Sequence, residues 1–320
     1  MTKVYLSAQF PEVALTKLRD NGLDVESYTG AGLISHAELL SKVATADYLI
    51  TTLSTMVDQE IIDAAPKLKL IANFGAGFNN IDSVYAKSKG IPVTNTPKVS
   101  TNAVAELTIS LILNLSHRVI EGDQQMRTTG FPGWAPLYFL GHEIAGKTLG
   151  IVGLGNIGQE VARKATALGM TVTYFAPHQL SPEAEQQLNV TYQPFDALVK
   201  SSDFISINAP LTSETKHQFD AAVLGEMKAT ACLINVGRGP IIDEAALLKA
   251  LQNHEIGGAA LDVYENEPNV DQAFTQLKNV VLTPHIGNAT VEARNAMADI
   301  VASNVVLMAQ GQTPKYVVNA

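Results

Sequence analysis

Cysteine is nearly absent from this chain of 320 residues. Cys232 is the only one, so no internal disulfide can form. Its setting, Ala231-Cys232-Leu233-Ile234, reads as a small buried side chain, and the thiol count fits a cytosolic protein better than a secreted one. Basic excess is missing too: 22 Lys and Arg stand against 31 Asp and Glu, a formal charge of −9, with no basic run to reverse it locally. Such a chain repels a phosphate backbone, which sets nucleic acid aside as a partner. Long apolar runs are also lacking. The start, Met1 to Ser7, has too short an apolar stretch for a signal peptide. The most apolar helical stretch, Ala103 to Leu115, carries Glu106 and Asn114 and falls short of the about 20 residues of a bilayer span. The expectation is a soluble, cytoplasmic protein with no membrane partner.

What is present is a 46% hydrophobic chain long enough for two domains, each with its own core. Short β-branched runs alternate with helical stretches, the pattern of parallel sheets covered by helices. Strands are expected at Lys3–Ser7, Asp24–Tyr28, Tyr48–Thr51, Leu70–Asn73 and Pro92–Thr94, then one long helix from Asn102 to about Gln125. The alternation restarts at Thr148, with six strands: Thr148–Val152, Thr171–Phe175, Phe204–Ile207, Cys232–Asn235, Gly258–Leu261 and Val280–Leu282. A final helix spans Thr290 to Gln310 and is expected to return to the first domain. There is an internal echo as well. Asp47-Tyr48-Leu49-Ile50-Thr51 resembles Asp203-Phe204-Ile205-Ser206-Ile207, and each copy leads on to a Gly-rich turn and an Ile-Asp pair, Ile81-Asp82 and Ile242-Asp243. Any strand–Gly turn–helix unit would look alike, so the echo has a bland explanation beside the duplicated one. The fold class is α/β: two doubly wound parallel-sheet domains with a cleft between. A Rossmann-type domain, residues 102–287, is inserted into a flavodoxin-like domain formed by 1–101 and 288–320.

Gly153-Leu154-Gly155-Asn156-Ile157-Gly158 follows one strand and opens a helix, the placement in which G-x-G-x-x-G cradles a dinucleotide pyrophosphate. The acid that usually holds the ribose is missing: the next strand ends Tyr174-Phe175-Ala176-Pro177-His178. Nothing there repels a 2′-phosphate, and no Arg or Lys holds one. His178 is either a donor to the cofactor or an exposed loop residue, and NAD against NADP stays open.

Three segments fall at the C-terminal ends of successive strands, where open α/β sheets build their sites. They carry Arg238 in Gly237-Arg238-Gly239, Glu267 in Tyr264-Glu265-Asn266-Glu267-Pro268, and His285 in Thr283-Pro284-His285-Ile286-Gly287. Singly, each has a structural reading: a solvated turn, an acidic loop, a capped core histidine. Together they are the set that reduction of a 2-oxo acid requires. Arg fixes carboxylate and carbonyl oxygen, His supplies the proton, and a carboxylate holds the imidazole protonated and oriented.

With those motifs, and Asn73-Phe74-Gly75-Ala76-Gly77-Phe78-Asn79-Asn80-Ile81-Asp82, the chain resembles the D-isomer-specific 2-hydroxyacid dehydrogenases over essentially its whole length, in particular their glyoxylate/hydroxypyruvate reductase-like branch. The resemblance implies that Arg238 binds and polarises the substrate, His285 is the acid/base and Glu267 its partner. It further implies substrate binding by Leu53, Ser54 and the backbone N–H groups of Ala76 and Gly77. The cofactor would lie along Gly153, Gly155, Asn156, Ile157, Gly158, Ala176, His178, Pro210, Val236, Gly237, Asp262, His285 and Gly287, with Asp262 near the nicotinamide amide and no metal. Trp134 matches a segment that in this branch helps form a homodimer and approaches the partner's active site; a surface packing role is the alternative. There are two departures. Asn79-Asn80 stands where many members have Asp-Asn, a turn position expected to leave the chemistry alone. Ala176-Pro177 stands where NAD-type members have Asp and NADP-type relatives often have Asn-Arg, so discrimination between NAD and NADP is expected to be weak. The function implied is reduction of a small 2-oxo acid (glyoxylate, hydroxypyruvate, pyruvate or phenylpyruvate type) to the D-2-hydroxy acid with NAD(P)H. The competing reading is a catalytically silent dinucleotide-sensing protein, which would not need the trio. Formate dehydrogenase relatives pair the active-site His with Gln, and Glu267 argues against that.

Overall fold

In the computed structural model, which describes residues 1–320, the chain divides into one unit of Met1–Ser100 with Ala289–Ala320 and a second of Thr101–Asn288. The first unit runs β1 (Lys3–Leu6), α1 (Glu12–Asp20), β2 (Asp24–Ser27), α2 (His36–Val43), β3 (Tyr48–Thr52), α3 (Gln59–Asp63), β4 (Leu70–Phe74), α4 (Ser83–Ser88) and β5 (Val93–Thr94). All five strands are parallel, in the order β2-β1-β3-β4-β5. The second unit begins with α5 (Thr101–His117) and α6 (Val119–Thr128), then β6 (Thr148–Val152), α7 (Asn156–Ala167), β7 (Thr171–Phe175), α8 (Pro182–Leu188) and β8 (Val190–Tyr192). It continues with α9 (Phe195–Ser201), β9 (Phe204–Ile207), α10 (Ala221–Gly225), β10 (Cys232–Asn235), α11 (Glu244–Gln252), β11 (Gly258–Leu261) and β12 (Val280–Leu282). Its seven parallel strands are ordered β12-β11-β10-β9-β6-β7-β8. The last helix, α12 (Val291–Ala309), belongs to the first unit and packs on α1 and β4.

Alternation along the strands sorts residues between two cores in each unit, as a sheet buried on both faces demands. In the first, Val4, Leu6, Ile50, Ala72 and Phe74 face α1 and α12 with Met297 and Val301, while Tyr5, Leu49, Ile71 and Val93 face α2 and α3. In the second, Leu149, Ile151, Ile234 and Ala260 pack with α5 and α7, and Ile205, Ile207, Leu233 and Leu261 with α9 to α11.

The sequence echo is matched by an echo in hydrogen bonding. Asp47, ahead of β3, accepts the Lys3 N–H at 2.9 Å and the Lys69 ammonium at 3.0 Å. Asp203, ahead of β9, accepts the Thr148 N–H at 2.8 Å and the Lys228 ammonium at 2.9 Å. Asn73 and Asn235, at the ends of β4 and β10, each turn a side-chain amide onto the carbonyl of the following Gly-rich turn, at Gly77 and Arg238. Asp82 and Asp243 then cap α4 and α11. The order β7-β6-β9-β10-β11 inside the larger sheet repeats β2-β1-β3-β4-β5 of the smaller one.

Two expectations need correction. The second sheet has seven strands, not six: Val190–Tyr192 adds a three-residue edge strand paired to β7, too short for its alternation to stand out. The single helix expected from Asn102 to about Gln125 is two helices bent by 62°. Arg118 at the break takes φ 56°, a left-handed conformation costing a non-glycine residue roughly 1–2 kcal/mol. Its guanidinium bonds both Glu121 oxygens at 2.9 and 2.8 Å and lies 4.1 Å from the Phe139 ring centre, contacts that offset the cost. No single helix is long and apolar enough to cross a membrane.

Candidate active site

The turn after β6 has the shape a pyrophosphate needs. Gly153 takes φ 96°, and a Cβ there would fall 2.6 Å from the Ala209 nitrogen. A Cβ on Gly158 would sit 2.3 Å from the Gly153 carbonyl oxygen, so this glycine lets helix and strand close up. Around Gly155 there is open space, with no heavy atom within 4 Å of a built Cβ. Gly155 is also the N-cap of α7 and offers no side-chain cap, which leaves the N–H groups of Asn156, Ile157 and Gly158 for an anion. The residues therefore fit a bound dinucleotide. At the end of β7, Ala176 is partly buried and His178 exposed. Glu185, in the helix that follows, is already engaged by the Tyr174 hydroxyl at 2.8 Å and the Gln179 amide at 3.0 Å. Pro210 is exposed beyond β9, its carbonyl accepting the Thr215 hydroxyl at 2.8 Å, and buried Val236 and partly buried Gly237 follow β10.

The structure brings Glu267 and His285 together from two different strand ends. Nδ1 of His285 lies 2.7 Å from Oε2 of Glu267, while Nε2 makes no hydrogen bond. The two side chains keep 30% and 34% of their surface exposed, so a small molecule can reach the ring. Burial works to raise the Glu267 carboxyl, but the hydrogen bond and charge of His285, the Tyr264 N–H and the Arg238 charge outweigh it and hold it below its ordinary range. Arg238 sits on the turn after β10, its guanidinium donating to the Gly237 carbonyl at 2.7 Å. Burial lowers its pKa, and Glu267 opposes that shift.

His285 is held in an unusual backbone conformation, φ 51°, uncommon without glycine. Asp262 supplies the restraint. It is almost fully buried and accepts the N–H groups of Ile286 and Gly287, both at 2.8 Å, and the Thr283 hydroxyl at 2.6 Å. Burial pushes this carboxyl up, against those donors and the His285 charge. Asp262 thus braces the histidine loop, a task the residue pattern alone does not reveal.

In the first unit, Leu53 packs over Gly75, where a Cβ would be 2.3 Å from its methyl, and Ser54 and Ala76 are exposed. The N–H groups of Ala76 and Gly77 donate to no protein atom. Asn80, next to the Asn79 departure, is buried, and its amide donates to the carbonyls of Thr52 at 3.1 Å and Thr55 at 2.9 Å, on either side of Leu53 and Ser54. Trp134 lies in the loop after α6 and is 81% exposed.

The cavity of about 1190 Å³ in the second unit is lined by Arg118, Lys147, Asp203, Cys232 and Asn279 among others, at the opposite strand ends from these motifs, and holds none of the candidate residues. Its size does not make it the reaction site. Cys232 is only partly buried, and burial pushes its thiol up to about 11, which keeps it protonated and inert.

A parallel α/β sheet with an open glycine turn at a helix start, and an acid–imidazole pair at the neighbouring strand ends, defines a nucleotide-dependent oxidoreductase architecture. Residues 109–287 match the family described as D-isomer specific 2-hydroxyacid dehydrogenase, NAD binding domain. A Staphylococcus epidermidis protein named "Putative 2-hydroxyacid dehydrogenase" is 52% identical over 319 residues, covering 100% of both chains. Among solved structures, a Thermus thermophilus protein superposes with a TM-score of 0.92 at 38% identity, over 99% of this chain and 100% of the other. The NADPH-dependent glyoxylate/hydroxypyruvate reductase of Sinorhizobium meliloti, solved with NADP and malonate, gives 0.82 at 32% identity, over 99% and 97%. The chain belongs to the D-isomer-specific 2-hydroxyacid dehydrogenase family and is an NAD(P)-dependent oxidoreductase of that class.

Proposed function

We propose that the protein is a cytoplasmic reductase that converts a small 2-oxo acid, of the glyoxylate, hydroxypyruvate, pyruvate or phenylpyruvate type, to its D-2-hydroxy acid. The observation that carries this is the 2.7 Å His285–Glu267 pair, with Nε2 unengaged and Arg238 charged on the adjacent strand end. When bound, the reduced nicotinamide supplies the hydride. Arg238 binds the substrate carboxylate and draws density toward the carbonyl oxygen. His285 Nε2–H donates the proton to that oxygen, while Glu267 stabilises the imidazolium and fixes the ring through Nδ1. Leu53, Ser54 and the N–H groups of Ala76 and Gly77 keep the substrate-binding roles the family pattern implies, and Asp262 the place near the nicotinamide amide.

The cofactor reading is NAD or NADP with weak preference, supported by Ala176 at the end of β7 and by the NADP-bound Sinorhizobium relative. A homodimer is proposed through the loop after α6, where Phe131, Trp134, Leu137 and Leu140 are 59, 81, 85 and 59% exposed. The test is to mix NADPH or NADH with each of the four oxo acids, follow loss of reduced-nicotinamide absorbance, and resolve the products of hydroxypyruvate, pyruvate and phenylpyruvate on a chiral column, glycolate from glyoxylate being achiral. Turnover, with the D product from those three, is expected. Cofactor binding with no turnover on any oxo acid would favour the silent sensor instead.

A further inference from the structure

The loop Tyr264–Glu267 does more than carry Glu267. Two of its successive N–H groups point into carboxylates from different places: Tyr264 N–H donates to Oε1 of Glu267 at 3.0 Å, and Glu265 N–H to Oε1 of Glu244 at 2.6 Å. Glu244 stands in the first turn of α11, but capping there falls to Asp243, which accepts the Ala246 N–H at 3.0 Å. The Glu244 carboxylate is therefore free of helix duty and is turned onto the loop. It is placed there at a cost: burial pushes its carboxyl up and the charges of Glu265, Asp271 and Glu267 add to the shift, against the Glu265 N–H.

The other contacts of the loop reach the rest of the site. The Glu265 side chain pairs with Nε2 of His217 at 2.7 Å. His217 lies in the segment after β9, takes φ 51°, and donates its own N–H to the Pro240 carbonyl at 2.8 Å. The Arg238–Gly239 turn abuts the same loop backbone to backbone, since a Cβ on Gly239 would fall 1.9 Å from the Tyr264 carbonyl carbon. A shift at residue 265 would therefore pass to Glu267, to Arg238 and to the segment beyond Pro210 at once.

We propose that Glu244 is a positioning residue for the acid–base pair, its carboxylate fixing the Tyr264–Glu267 loop so that Glu267 meets His285 and the loop stays seated on the Arg238 turn. This rests on the roles assigned above to Glu267 and His285. What matters in Glu244 is an acceptor oxygen at the right reach, not its charge. Glu244→Gln keeps the reach and the acceptor, whereas Glu244→Asp keeps the charge and withdraws the oxygen by one methylene.

The experiment compares these two variants and Glu267→Gln in the oxo-acid assay, with kcat and KM separated and cofactor affinity and thermal melting measured alongside. Glu244→Gln should stay near wild type. Glu244→Asp should lose about ten- to a hundredfold in kcat, with cofactor affinity unchanged. KM for the oxo acid should change less than kcat, since what is lost is the alignment of the acid–base pair and not the carboxylate site. Combining Glu244→Asp with Glu267→Gln should cost clearly less than the product of the two single losses. Wild-type kcat for a folded Glu244→Asp, additive losses in the double variant, or Gln impaired more than Asp would each overturn the proposal. An inactive wild type, or a Glu267→Gln variant that behaves as wild type, would instead overturn the reading of the pair itself.

Discussion

His285, Glu267 and Arg238 stand on three consecutive strand ends, and that placement was legible from residue type and spacing alone. The 2.7 Å contact between acid and imidazole gives it consequences that can be measured. Glu267→Gln should lower kcat about tenfold or more in the oxo-acid assay, with cofactor affinity nearly unchanged, because the imidazole loses the carboxylate that orients it. A pH dependence follows for stability. Glu267 is held below the ordinary carboxylate range, so its stabilisation is present at neutral pH and is lost as pH falls through that depressed range. Urea unfolding of wild type and Glu267→Gln should converge in acid, and a difference that persists there would contradict the pairing. Ala176→Asp should turn the cofactor preference toward NADH by about tenfold, since a carboxylate at the end of β7 repels a 2′-phosphate; the ratio of kcat/KM for the two cofactors measures it. Asn80 and Glu244 were not legible in this way. Their roles come from hydrogen bonds to Thr52 and Thr55 and to the Glu265 N–H, contacts far along the chain that no local pattern encodes. Removing the Asn80 amide strands the buried Thr55 carbonyl, and Asn80→Ala should cost about 1–3 kcal/mol in chemical denaturation while raising KM for the oxo acid.

Among the elements, strands such as β4 and β6 could be read directly, because strands buried on both faces write nearly continuous apolar sequence; β2, with one β-branched residue, and β11, with none, were legible only from their place in the alternation. The two that resist are instructive. β8 is an edge strand whose middle residue, Thr191, is exposed, so it leaves too little pattern to find. The α5–α6 break is set by Arg118 choosing Glu121 and Phe139 over the helical conformation, a tertiary preference that overrides a continuous helical sequence. The turn between β6 and α7 separates fold from function cleanly. Gly155→Ala meets open space at an ordinary negative φ, so melting should be unchanged while cofactor affinity drops about tenfold or more, the methyl taking space beside the pyrophosphate. Gly158→Ala drives a methyl into the Gly153 carbonyl and should lower the melting temperature itself, by the equivalent of about 1–3 kcal/mol.

On the scale of the whole molecule, the two units use one plan twice, down to the Asp that ties down each edge of β3 and β9 and the Asn that braces each Gly-rich turn. Only the second copy carries Arg between its turn glycines, and only there does an acid–imidazole pair follow. The chain's −9 charge need not disfavour an anionic substrate, because in the proposed reaction Arg238 meets it locally. The decisive measurement is kcat for His285→Ala on the best oxo acid, with cofactor affinity determined on the same preparation. A loss of about a hundred- to ten-thousandfold in kcat is expected, with cofactor affinity nearly unchanged. Equal loss of both, or turnover retained without the imidazole, would show that His285 is not the proton donor.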